Sequence, residues 1–315
     1  MPSRKVVKRK SIFVQVPAYR DYELPKTIEN VVSSSSGETL ISFGVHNCVL
    51  FPREVTVKIE QPQWVKIHYA ESIAPTNIGL QRARNLANQF YDGEDYYLQI
   101  DSHMRLIKNW DKILIEDLSI IEQYGVQKPL MTMYPSDYGY DDDGKEVNMH
   151  NTNYFTEISF KENKAQFEET LIPSQTAVMA RKNCLFTPSV SGGFIFTTGE
   201  FSLVTPNPKI AFWGEEPLIA ARAFTHGFTL VIPPTSVASH LYASQQPFAK
   251  MRRHHAWADF PQEWASIQEE SMNEYTKIFT ERVVGEYAFG PKRTLAEYEE
   301  FSGLNFATRE ITPIF

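Results

Sequence analysis

The stretch Tyr96-Tyr97-Leu98-Gln99-Ile100-Asp101-Ser102-His103-Met104-Arg105 constrains this chain more than any other. A hydrophobic run of β type stops abruptly at an acid, a small residue and an imidazole. In an open α/β sheet, ligands sit in the crevice beyond the carboxyl ends of the strands. A strand that delivers Asp101 and His103 there, with Ser102 turned away between them, presents two metal-capable side chains on one side of the backbone. Carboxylate plus neutral imidazole suits Mn²⁺ or a similar borderline divalent ion better than Ca²⁺. The plainer alternative is a strand exit whose Asp and His only cap the backbone and face water.

The surrounding sequence supports an α/β setting. Ser11–Val16 has the apolar, β-branched content of a buried strand ended by Pro17, and a helix is expected from about Glu23 to Val32 with Pro25 in its first turn. Ser33–Gly37 reads as a loop, Thr39–Val45 as a second strand and Trp64–Tyr69 as a third. A helix beginning at Gly79, with Asn77 as its cap, leads into the central strand. This β-α-β-β-α-β order implies a mostly parallel sheet with helices on its faces. The chain has neither G-x-G-x-x-G nor G-K-[ST], so a dinucleotide fingerprint and a P-loop are both absent.

A helix from Trp110 to about Tyr124 and a strand from Pro129 to Tyr134 follow. Tyr138–Asn153, with its Asp141-Asp142-Asp143-Gly144 run, reads as a long polar loop. The second half resumes strands at Thr176–Ala180 and at Ser191–Phe196, which opens on Gly192-Gly193. Adjacent glycines at a strand start mark close approach of backbone to another strand or to a ligand. Phe212–Pro217 opens a helix reaching about His226, and Pro233–Tyr242 closes the core. Beyond Gln245 the pattern is helical, amphipathic and rich in aromatics. The expected division is a catalytic domain over 11–244 and a helical extension over 245–315 packed on it.

Composition narrows the setting further. At 42% hydrophobic, 315 residues can bury a large core, and no apolar run is long enough to span a membrane. Two cysteines, Cys48 and Cys184, make no disulfide framework; the expectation is reduced thiols and a cytoplasmic protein. A net charge of −7 argues against a generic nucleic-acid binder, although a local basic face stays compatible with it.

Four pieces converge: Asp101-Ser102-His103, Gly192-Gly193, Trp213-Gly214-Glu215-Glu216 and Ser239-His240. Their order resembles that of GT-A glycosyltransferases with an Asp-x-His metal motif. In detail the chain is similar to the GlcNAc-transferase family whose eukaryotic members modify hydroxyproline on a ubiquitin-ligase adaptor. The matching stretches are Phe13–Asp21, Ile100–Arg105, Gly192–Phe201, Trp213–Gly227, His240-Leu241-Tyr242 and Arg293-Thr294-Leu295 with Tyr298. More distantly, the second half is similar to polypeptide GalNAc-transferases, whose Trp-Gly-Gly-Glu motif falls on Trp213 to Glu216. Glu215 stands where that motif has its second glycine, so either glutamate can inherit the acidic role.

The resemblance implies a GT-A fold: a Rossmann-like, mostly parallel mixed sheet flanked by helices. It implies a UDP-sugar donor (UDP-GlcNAc or UDP-glucose), retention of anomeric configuration, and a divalent cofactor, Mn²⁺ or else Mg²⁺, held by Asp101, His103 and His240. Donor contacts are expected from Tyr19, Arg20, Asp21, Arg82, Arg84, Asp101, Ser102, Gly192 and Gly193. Tyr19 is placed to stack on uracil, and Asp21 to accept from the ring N–H. An Arg fork matches phosphate geometry, and a helix N-terminus attracts anions, which is the physical case for Arg82 and Arg84. Trp213, Glu215 and Glu216 are the catalytic candidates, although carboxylates at a helix start are also stabilised by the macrodipole.

The acceptor is a hydroxyl, with a polypeptide expected first. A hydroxymethylated or glucosylated DNA base is the alternative, for which Lys250–His255 offers a phosphate-contacting run. A non-catalytic sugar-nucleotide or glycan-binding module and a metallohydrolase are the remaining alternatives. Oligomeric state is left open.

Overall fold

Ser11–Tyr19 (β1) is apolar on both faces and buried along nearly its whole length, as a central strand of a sheet covered on both sides must be. The computed structural model describes residues 9–58, 61–148, 156–160, 164–179, 185–242 and 254–312. β1 pairs in parallel with Leu40–Val49 (β2), which pairs in parallel with Val65–Ile73 (β3). On its other side β1 pairs in parallel with Tyr96–Ile100 (β4). The strand does not stop at Pro17. β4 reaches only as far as Gln15, so the missing proline N–H falls where that neighbour has already ended.

The helices Leu24–Ser34 (α1) and Leu80–Asn88 (α2) make the crossovers. α2 is capped by Gly79 at φ 122°, not by Asn77, and the Leu80 amide donates to the Ala211 carbonyl at 2.6 Å. Met104–Leu106 (β5), the helix Trp110–Gln123 (α3) and Pro129–Thr132 (β6) follow. Ser136–Tyr140 (β7) and Glu146–Asn148 (β8) form an antiparallel pair where a long loop is expected. The acidic run is its turn: Asp141 Oδ1 accepts the amides of Asp143 and Lys145 at 3.1 and 2.8 Å. Residues 149–153 of that stretch lie outside the described residues.

Thr156–Phe160 (β9), Lys164–Thr170 (α4) and Gln175–Met179 (β10) form an appendage in which β9 and β10 pair antiparallel. Phe194–Thr198 (β11) then inserts antiparallel between β4 and β6. After Glu215–Thr225 (α5), Thr229–Val231 (β12) extends the edge, and Ala238–His240 (β13) joins a small second sheet beside β5 and β7. The main sheet runs β12-β6-β11-β4-β1-β2-β3, with β11 its antiparallel member. This is a mixed α/β fold with a mostly parallel central sheet.

The chain direction across the sheet reverses between β1 and β4. Their carboxyl ends, at Tyr19 and Ile100, therefore open the crevice that such sheets use for ligands. Toward the C-terminus, Ala256–Asp259 (α6), Pro261–Thr280 (α7) and Leu295–Ser302 (α8) are helical. Tyr275, Phe279, Phe289 and Tyr298 pack into the same buried cluster as Phe13, Tyr97 and Ile195 of the sheet. Among the described residues no helix is long and apolar enough to cross a membrane. Cys48 is a free, buried thiol, while Cys184 lies outside the described residues.

Candidate active site

The strand exit at Asp101 is set by three neighbouring elements. α1 holds the backbone: Thr27 Oγ1 donates to the Ser102 carbonyl at 2.7 Å and accepts the Met104 amide at 3.0 Å. β13 crosses beside β5, bringing His240 against the same loop, and the Leu241 amide donates to the His103 carbonyl at 3.1 Å. The third element is the Gly192-Gly193 turn. A Cβ on Gly193 would come within 2.9 Å of Asp101 Oδ2, and one on Gly192 within 3.4 Å of the Glu215 carboxylate. What comes close to the paired glycines is thus two acidic side chains, where another strand or a ligand is expected.

One carboxylate oxygen of Asp101 and one ring nitrogen each of His103 and His240 all lie within 4.8 Å of one another, a grouping able to hold a metal ion. The two imidazoles meet edge to face, with ring centroids 4.6 Å apart, and His240 Nε2 stands 3.5 Å from Asp101 Oδ2. The donor set fits a divalent ion of intermediate hardness. Burial alone would push the Asp101 carboxyl up, but His240, Arg84 and His103 around it hold it far below the usual carboxylate range. It is an anion at every ordinary pH.

Two cavities meet at Asp101. The first, about 280 Å³, lies at the carboxyl ends of β1 and β4 and is lined by Tyr19, Asp21, Cys48, Asn77, Ser102, His103 and His240 among others. His255, Ala256, Trp257 and Trp264 line it as well, so the C-terminal segment is part of its wall. Asp259 ties that segment down, accepting from the Tyr19 hydroxyl at 2.8 Å and from Arg20 Nη1 at 2.5 Å. Arg20 also pairs with Glu54 at 2.8 Å. Its charge is thus absorbed by two acids, and it is not among the side chains lining the cavity.

The second cavity, about 660 Å³, is lined by Arg84, Asp101, Gly192, Gly193, Glu215 and Glu216, with Trp213 at 58% exposure on its rim. α4, Gln175 and Met272 of α7 complete its outer part. Gly214, at φ 84°, caps α5 where a Cβ would stand 2.7 Å from the Tyr275 ring. Glycine alone fits both the left-handed backbone and the contact.

The two arginines each expected to contact the donor are separated. Arg82 turns outward, its Nε donating to the Pro208 carbonyl at 2.9 Å. Arg84 is fully buried and bridges Asp101 (2.9 Å) and Glu215 (2.7 Å), with a further bond to the Gly192 carbonyl at 2.7 Å. An i,i+2 spacing on a helix points two side chains about 160° apart around its axis, which is why one is inside and the other outside.

The two glutamates also differ. Burial raises the Glu215 carboxyl, partly offset by Arg84, while Gln81 donates to it at 2.9 Å. Glu216 accepts the Gly192 amide at 2.8 Å, the Tyr134 hydroxyl at 3.2 Å and the Gln175 amide. Burial, with Glu215 and Asp101 nearby, pushes its carboxyl up to about 7 despite those donors. Tyr134, Gln175 and Asp259 escape detection in the sequence, since a Tyr, a Gln and an Asp on separate elements form no motif. Asp21 lines the first cavity, but its carboxylate is engaged by the loop beside it. Its Oδ2 lies 2.6 Å from Ser102 Oγ and 2.7 Å from His103 Nδ1, and its Oδ1 takes the Glu23 amide at 2.9 Å.

The chain matches the family model described as Glycosyltransferase (GlcNAc) over residues 53–308, and it belongs to that family. Among solved structures it is similar to GalNAc-T7 with UDP, GalNAc and Mn²⁺, at 14% identity and a TM-score of 0.49, covering 93% of this chain and 54% of that one. The chain thus spans about half the length of that protein. It is also similar to S. aureus TarS 1–349 in complex with UDP-GlcNAc, at 11% identity and a TM-score of 0.46, covering 95% of this chain and 72% of that one. No curated protein sequence matches it.

Proposed function

We propose that this protein is a metal-dependent, retaining glycosyltransferase that moves GlcNAc or glucose from a UDP-sugar to a hydroxyl of an acceptor, a polypeptide being the first choice. The observation that carries the proposal is the Asp101, His103 and His240 group at the junction of two cavities. The first cavity has the aromatic and apolar walls suited to a nucleoside, with Tyr19 on one side. The second is large enough for a pyranose and the reacting part of an acceptor. Family membership supports glycosyl transfer, and the donor chemistry at Asp101 favours Mn²⁺ over Ca²⁺.

Asp101, His103 and His240 would hold the ion, whose chemistry is Lewis acidity toward the charge that builds on the departing diphosphate. The chain's own groups do the rest. Arg84 fixes both Asp101 and Glu215, so the floor between the cavities is rigid before ligand arrives. Both oxygens of Glu216 hold protein donors, and Glu215 is tied through Oε1 to Gln81 and Arg84, so both carboxylates are anchored in the protein. This favours same-face attack: the acceptor oxygen bonds to the anomeric carbon as the bond to the diphosphate oxygen breaks. The acceptor's proton passes to the leaving phosphate. Glu216, near neutrality in its titration, orients a sugar or acceptor hydroxyl, and Trp213 gives an apolar wall for the ring.

The described lining of the second cavity holds one basic residue, Arg84, buried between two carboxylates. A polyanionic acceptor such as DNA finds no open cation there. Lys250–Arg253 lie outside the described residues, and His254 and His255 line the first cavity instead.

The test is thermal unfolding with UDP, UDP-GlcNAc and UDP-glucose, each with and without Mn²⁺, on wild type and Asp101→Asn. A ligand at a hundred times its dissociation constant stabilises by about 2.7 kcal/mol. Stabilisation that needs nucleotide and metal together, and vanishes in the variant, is the expected result. No shift under any condition would overturn the donor site, and a shift without turnover would favour a non-catalytic sugar-nucleotide-binding module.

A further inference from the structure

We propose that Asp21 is a positioning residue for His103, setting which ring nitrogen faces the metal site, and not a contact for the donor's base. The assignment rests on the metal-site reading above. Asp21 sits at the junction of β1 and α1 and is 6% exposed. Its Oδ2 lies 2.7 Å from His103 Nδ1 and 2.6 Å from Ser102 Oγ, while Oδ1 accepts the Glu23 amide at 2.9 Å.

A carboxylate at that distance holds the proton on Nδ1 and leaves Nε2 with its lone pair, the form a metal ligand requires. The same contact fixes the plane of the ring. The backbone around His103 is already pinned, by Thr27 on one side and by Leu241 on the other. Its side-chain torsions are the remaining freedom, and Asp21 removes it. The carboxylate also makes the imidazole a stronger donor toward a cation.

The competing role is real, because Asp21 lines the first cavity and a carboxylate can accept from a uracil N–H. The contacts weigh against it. Three donors, or two and a shared proton, already converge on Asp21, and they come from Glu23, Ser102 and His103. These take both sites of Oδ2 and one of Oδ1, so a base would find about one lone pair left, on Oδ1 alone. Ser102 takes part in the same device: its hydroxyl donates to Asp21, so the middle residue of Asp101-Ser102-His103 braces the carboxylate that orients the third.

Three measurements test this. The first is the ¹⁵N spectrum of the His103 ring in the metal-free wild-type protein, which needs no variant; the Nδ1–H tautomer is expected. The second is calorimetric titration of wild type and Asp21→Asn with Mn²⁺ alone, for which a 10- to 100-fold loss of affinity is expected. The third is metal-free binding of UMP, expected to stay within about two-fold of wild type. An Nε2–H tautomer, or Mn²⁺ affinity that survives the substitution while UMP binding falls, would overturn the assignment and make Asp21 a base contact. Wild type failing to bind Mn²⁺ at all would remove the metal site and this role with it, a result distinct from either.

Discussion

The two cavities share Asp101, yet they treat their carboxylates in opposite ways. On the first side Asp21 and Asp101 are held below the usual range by the imidazoles, hydroxyl and guanidinium facing them. On the second side Glu215 and Glu216 are raised, because burial and mutual repulsion outweigh the donors around them. Arg84 stands between the two sets and bonds to one member of each. Environments that push neighbouring acids apart mark a division of labour. On the proposed function, the first set faces a cation and the second holds a hydroxyl near neutral pH.

The largest expected effect on this contrast comes from Glu215→Gln. Arg84 would keep a full charge in a fully buried site with one carboxylate left, at a cost of about 3 kcal/mol in stability. Denaturant unfolding checks this; a loss under 1 kcal/mol would mean that Arg84 is satisfied without Glu215. His240→Ala should lower Mn²⁺ affinity by more than about 100-fold, since changes to outer-shell partners alone cost 10- to 100-fold. An unchanged metal titration would return His240 to a packing role.

Glu216→Gln sharpens the other half. A carboxyl raised from 4.5 to about 7 in the folded protein makes stability fall as pH rises through that window. The variant should therefore be more stable than wild type above pH 7, by on the order of 2 kcal/mol, and lose that advantage below pH 4.5. Equal unfolding curves at both pH values would mean that burial does not raise Glu216, and a variant less stable than wild type above pH 7 would place it with the lowered set. Its turnover should fall while metal affinity stays put. The smallest effect is expected at Asp259→Ala. Its bonds to Tyr19 and Arg20 are partly exposed, so stability should drop by no more than about 1 kcal/mol, with a modest loss of UMP affinity. A loss of several kcal/mol would make the C-terminal segment a structural necessity of the first cavity.

Much of this arrangement is written locally. β1, β4 and the β-α-β-β-α-β order follow from apolar runs and turn residues, because a strand covered on both faces has to be apolar throughout. The abrupt acid-serine-histidine exit announces a site for the same reason: such residues are costly at the end of a buried strand unless something uses them. Where local signals mislead, the cause is visible in particular residues. Pro17 does not end β1, because strand length depends on what the neighbouring strand still pairs. Asn77 does not cap α2, because the Leu80 amide finds its partner on Ala211, far along the chain. Asp141–Asp143 makes a hairpin turn whose strands are too short to show alternation.

The sequence by itself determined the class of fold, the crevice at the carboxyl ends of β1 and β4, and the residue types gathered there. Only the tertiary structure decided what each acid does. Whether an arginine grips a phosphate or bridges Asp101 and Glu215 depends on which helix face is buried, and whether Asp21 meets a base or an imidazole depends on a loop 82 positions away. Charges act through space and through the local dielectric, and neither distance nor burial is encoded at the positions of the residues concerned.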